Sequence, residues 1–133
     1  TPSIRNIHFE NIKCLSGKGY MIELLGLPEM LIEDIWFDGI DAKTAKGINI
    51  SDVRGIRFKN SIFSAMTVPL FTITDGHNIS VDSVKFYGVV EQFLRVEGGN
   101  SNNIKISKSN IPSTDKSVLL GTDVSKQAVI IKE

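Results

Sequence analysis

Asp75 and His77 stand two residues apart in the run Thr74-Asp75-Gly76-His77-Asn78. At that spacing a carboxylate can orient an imidazole for general acid–base work. The same residue types are ordinary in a loop joining two strands, and the loop is the expected role here. Glu29, Glu33, Asp34, Asp38 and Asp41 crowd a second stretch, and such carboxylates can hold calcium or act in pairs on a glycoside. Alternation along an extended chain would send Glu33 and Asp34 to opposite faces and leave Asp38 and Asp41 in a turn, so a solvated surface is expected. His8 has no His, Cys or Asp at metal-ligand spacing. No cofactor or metal is expected. Asn49-Ile50-Ser51 and Asn78-Ile79-Ser80 match glycan sequons, which arise by chance in an Asn-rich chain.

These residues belong to a repeat that must position them. A turn-type residue, an Ile, any residue and a second apolar residue recur as Asn6-Ile7-His8-Phe9, Asp34-Ile35-Trp36-Phe37, Gly55-Ile56-Arg57-Phe58, Asn78-Ile79-Ser80-Val81 and Asn103-Ile104-Lys105-Ile106. The steps between copies are 28, 21, 23 and 25 residues. Each unit alternates apolar and polar positions, which describes a strand with one buried face. A second strand series, residues 20–25, 46–50, 70–74, 92–97 and 117–120, lies between the copies. Strands this short are stable only when copies stack in register, so the repeat implies a solenoid. Asn11, Gly39, Asn60 and Ser83 follow the second apolar residue by two positions, and these types suit a tight left-handed turn repeated on successive coils.

Composition agrees, with 18 Ile and 10 Val among 133 residues. A helical solenoid fails because no 11-residue window keeps the i, i+3, i+4, i+7 apolar stripe. A β-sandwich would require short Asn-Gly or Asp-Gly hairpins, and Asp38-Gly39 and Asp75-Gly76 are the only Asp-Gly pairs. The 15 Lys plus Arg balance 15 Asp plus Glu, so nothing in the charge points to nucleic acid. The single cysteine, Cys14, excludes an internal disulfide framework. No apolar run is long enough to span a membrane.

Pro2-Ser3-Ile4-Arg5-Asn6-Ile7-His8-Phe9-Glu10-Asn11-Ile12, then Gly26-Leu27-Pro28-Glu29 and Ile32-Glu33-Asp34-Ile35-Trp36-Phe37, resemble the late coils of bacterial glycoside hydrolase family 28, the polygalacturonases. The resemblance runs from residue 2 to about residue 65. It implies an all-β fold, a right-handed single-stranded parallel β-helix of about five coils, usually secreted or periplasmic, in a family that hydrolyses galacturonan with inversion. The family's Asn-Thr-Asp, Asp-Asp and Arg-Ile-Lys motifs do not occur here, and Gly76-His77-Asn78 matches only part of its Gly-His-Gly. Inversion needs two facing carboxylates. The expectation is therefore a non-catalytic C-terminal segment with no catalytic residue of its own, whose family pattern places the catalytic coils upstream of Thr1. A free-standing polysaccharide-binding module and a hydrolase built on Asp75 and His77 are the alternatives.

In the family the substrate cleft runs along the sheet that corresponds to the second strand series. Its outward side chains here would be Glu23, Asn49, Thr72 and Arg95, with Arg95 suited to a galacturonate carboxylate of a pectic polysaccharide. Trp36, the only Trp, is expected to pack under the loop of residues 26–30. An uncapped first coil presents unpaired backbone groups and apolar residues, so self-association through Ile7 and Phe9 is expected. Pro112 to Lys126 is expected to break the coil pattern, and residues 128–131 to return as a final strand.

Overall fold

The computed structural model describes residues 4–88, 92–111 and 117–132. Thr1, Pro2, Ser3 and Pro112, named above, lie outside them.

Corners explain the architecture. The first residue of every repeat unit, namely Asn6, Asp34, Gly55, Asn78 and Asn103, has positive φ. So do Asn11, Gly39, Asn60, Ser83 and Lys108 after the unit, and Asp52, Asp75 and Gly98 before it. All lie between +49° and +88°, the left-handed region that Asn, Asp and Gly tolerate best. Such corners bound each repeat unit at both ends, and each coil runs through three extended faces.

The strands are β1 (Arg5–Glu10), β2 (Lys13–Leu25), β3 (Ile32–Asp38), β4 (Asp41–Ala65), β5 (Phe71–Gly88), β6 (Leu94–Glu97), β7 (Asn102–Ser107), β8 (Val118–Leu120) and β9 (Val129–Lys132). A 3-10 turn, Lys126–Ala128, precedes β9. β4 and β5 are long because they continue around corners. Every strand pairing is parallel, as a chain returning one coil higher on each circuit requires. The chain is a parallel β-helix of about five coils, with β9 closing the expected final strand against β7.

The repeat units form the first face. Ile7, Ile35, Ile56, Ile79, Ile104 and Val129 stack in one ladder, and Phe9, Phe37, Phe58, Val81, Ile106 and Ile131 in another. Both ladders are buried from the second coil to the fifth. Ile7 is 39% exposed because the first coil is covered on one side only. The expected second series forms another face, with ladders Ile22–Ile48–Phe71–Leu94–Val118 and Leu24–Ile50–Ile73–Val96–Leu120.

One face was not expected. Residues 13–17, 41–44, 61–65 and 84–88 pair coil to coil, although residues 61–65 turn the polar Ser61 inward and the apolar Ile62 outward. Buried Ser61 is satisfied: its hydroxyl accepts from Ile40 N at 3.1 Å and donates to Lys59 O at 2.9 Å. Ser101 does the same at another corner, accepting from Gly76 N and donating to Glu97 O. These bridges tie corners to neighbouring coils where strand hydrogen bonds stop.

The faces enclose all seven phenylalanines. Phe9, Phe37 and Phe58 stack face to face at centroid separations of 5.1 and 5.0 Å. Phe58, Phe71, Phe93, Phe86 and Phe63 then form a closed circuit of edge and tilted contacts.

The irregular period also has a structural cause. Leu25 pairs with Ser51 and Ile32 with Val53, so six residues, 26–31, occupy a corner that Asp52 alone turns on the next coil. Leu27 and Met30 close that loop with two backbone hydrogen bonds of 3.1 and 2.9 Å. Five extra residues here and one at each of two register shifts in β2 make the first step seven residues longer than the second.

Candidate functional site

Asp75 turns a corner at φ +49° and its Oδ1 accepts from Asn100 N at 3.2 Å. A Cβ on Gly98, the corner residue of the next coil, would overlap this carboxylate. Asn11 over Gly39 and Asp34 over Gly55 repeat the arrangement. The carboxylate thus fills the space that glycine leaves, which is a structural use. His77 Nδ1 lies 3.2 Å from Asn102 Oδ1, its register partner, to which the Nδ1–H tautomer donates. The structure brings Asp75 and His77 into one cleft of about 250 Å³ with Asp52, Arg54 and Asn100, but each is hydrogen-bonded to the following coil and not to the other. Asp34 is likewise a corner residue, and Glu33 is the register neighbour of Arg5 and Arg54, with no ion pair to either.

Glu23, Asn49, Thr72 and Arg95 are register partners on successive coils and form one outward row. Asn49 Nδ2 donates to Glu23 Oε2 at 3.3 Å. Arg95 Nε lies 3.7 Å from Glu97 Oε1, two residues along on the same side of the strand. It is the only ion pair among the described residues. Both side chains are nearly half exposed, so the pair is weak, yet it sets a carboxylate beside the cation chosen for carboxylate binding.

The first face carries a different row. The unspecified position of each repeat unit places His8, Trp36, Arg57, Ser80, Lys105 and Ile130 in one outward column. His8 and Trp36 stack with ring centroids 4.4 Å apart and planes within 6°. The Arg57 guanidinium lies 4.8 Å from the centroid of the Trp36 ring, within cation–π range. Trp36 therefore sits between His8 and Arg57 on the outer surface, 41% exposed, and not under the loop of residues 26–30. Register stacking on both sides covers its two ring faces and leaves its edge to solvent.

Past Arg57 the column drops to the small Ser80 and rises again at Lys105. The gap opens a cleft of about 380 Å³ lined by Arg57, Lys59, Ser80, Asp82, Lys105 and the Asn78–Asn103 pair, whose side chains are joined by a 2.6 Å hydrogen bond. Arg57, Lys59 and Lys105 are exposed and have no ion-pair partner among the described residues. Reading the middle residue of each unit as a column would have found this row in the sequence. No group of three His, Cys, Asp or Glu among the described residues is placed to hold a metal ion. No protein family, characterised protein or solved structure matches the chain.

Proposed function

We propose that the chain is a non-catalytic segment of a polysaccharide-active β-helix protein of the polygalacturonase type that its first coils resemble. The observation that carries this reading is the engagement of Asp75 and His77 in separate coil-to-coil hydrogen bonds, which leaves the most enzyme-like pair in the sequence without a shared proton path. Open faces running the length of a solenoid supply extended surface for a chain-like ligand, as β-helix proteins of this type use. The secreted or periplasmic setting of the family follows from the same resemblance.

The test uses the whole 133-residue chain. Oligogalacturonate should raise its melting temperature, while polygalacturonate incubated with it should release no reducing ends. Turnover that disappears in Asp75→Asn would replace this reading with that of a hydrolase.

The reading extends to the first coil. β1 and β2 each pair on one side only, and a cleft of about 300 Å³ lined chiefly by apolar side chains, among them Phe9, Ile12, Met21, Ile22 and Leu24, opens at that end. We propose that the isolated chain covers this end with a second copy of itself.

A further inference from the structure

We infer that the gap at Ser80, between Arg57 and Lys105 on the first face, is a seat for the carboxylate of an acidic sugar. This rests on the polysaccharide reading above but locates the ligand on a different face from the row Glu23, Asn49, Thr72 and Arg95.

Cation placement supports the seat. Arg57 and Lys105 belong to one register column two coils apart, and neighbouring coils are spaced by about 4.8 Å, so their backbone positions lie roughly 10 Å apart with Ser80 between them. An anion at Ser80 would meet a cation above and below and a hydroxyl donor at its floor. Lys59 adds a third positive charge at the rim, opposed by Asp82, whose Oδ1 accepts from Ser83 Oγ at 2.9 Å. The column itself, His8 to Ile130, contains no acid.

Arg57 is also prepared for the task. Its guanidinium carbon lies 4.8 Å from the Trp36 ring centroid, a contact that limits where the group can swing, and no carboxylate among the described residues pairs with it. A planar fork held in this way suits a planar carboxylate, through two parallel hydrogen bonds. Arg95 lacks that freedom because Glu97 is beside it. Trp36 is a positioning residue in this scheme, since its ring faces are covered and it offers no platform to a sugar.

A glycan is favoured over a nucleic acid by the charge balance. Nucleic-acid affinity grows with the number of phosphates neutralised, and a chain with zero formal net charge and two cations in the row offers few. A uronate polymer needs only one seat per carboxylate, and the column has one gap.

The experiment is titration of the whole chain, by calorimetry, with oligogalacturonate, its methyl ester, a sulfated oligosaccharide and an oligothymidylate. Oligogalacturonate should bind and the methyl ester should not. Arg57→Ala should weaken binding about tenfold, the loss of one charge-assisted contact. Arg57→Lys should weaken it nearly as much, and Ser80→Leu, which fills the gap on an outward surface, should do so without touching any charge. Arg95→Ala should leave affinity unchanged. Circular dichroism would confirm that each variant is folded. Equal binding of the methyl ester, or sensitivity to Arg95→Ala and not to Arg57→Ala or Ser80→Leu, would overturn the carboxylate seat while leaving the polysaccharide reading intact. Tighter binding of the sulfated sugar or of oligothymidylate would overturn it in favour of another anion. Binding of none of the four would remove the polysaccharide reading with it.

Discussion

The side-chain amide of Asn110 holds both backbone groups of Phe86: Phe86 N donates to Asn110 Oδ1 at 2.7 Å, and Asn110 Nδ2 donates to Phe86 O at 3.0 Å. A strand residue in the next coil would offer one acceptor and one donor, and a primary amide offers the same two groups. Asn110 thereby ends the unexpected face by imitating the strand that would otherwise follow. Asn110→Ala should cost about 2 kcal/mol, because it leaves two backbone groups beside a buried ring without partners. Urea unfolding measures it. A cost below about 0.5 kcal/mol would show that water replaces the amide without loss.

Phe37→Ala tests the inward ladders. Phe37 is buried between the stacked rings of Phe9 and Phe58, and removing it should cost about 3 to 5 kcal/mol in the same assay. Ile7→Ala, on the end coil, should cost roughly 1 kcal/mol, since its side chain is already partly in water.

The pairing of Asx corners with glycines makes a sharper prediction. Gly98→Ala places a methyl group against the Asp75 carboxylate at a positive φ and should destabilise by about 1 to 3 kcal/mol. Gly19→Ala, where a Cβ would meet nothing, should change stability by less than about 0.5 kcal/mol. Equal effects at the two sites would refute the space-filling account of Asp75.

Phe9→Lys tests the first coil. Phe9 lines the apolar cleft at that end and is partly buried, so a charge there should abolish association of the isolated chain. Sedimentation velocity at tens of micromolar reads it out. A wild-type monomer that behaves the same as the variant would mean that the end is covered within the chain itself.

Much of the fold was legible because corner and core signals coincide. Asn, Asp or Gly before each Ile marks a corner, and Ile-x-Phe marks the inward pair that follows, so two faces could be placed from one unit. The third was hidden by Ser61 and Ile62, where burial runs against polarity. A serine whose hydroxyl bridges two coils is as much a core residue as its apolar neighbours, and no hydrophobic pattern reports that. The candidate site was hidden for another reason. Arg57, Ser80 and Lys105 hold the middle position of units 23 and 25 residues apart, so their column follows from the repeat, whereas the contact of Arg57 with Trp36 and its lack of a carboxylate partner among the described residues depend on where the side chains lie. Arg95 was found by the same row logic, but its neutralisation by Glu97 depends on which rotamers two long side chains adopt.

The loop of residues 26–31 holds six residues where the following coil uses one, and the ladders on either side keep their register. Coil length and coil shape are therefore independent variables in this molecule. The corner acts as a port at which sequence can be spliced in sideways, between Pro28 and Glu29 at the tip of the Leu27–Met30 closure, without altering what is stacked above or below. Diversity gathered at such a port would be displayed at one edge of a rigid rod, at a height fixed by the coil that carries it.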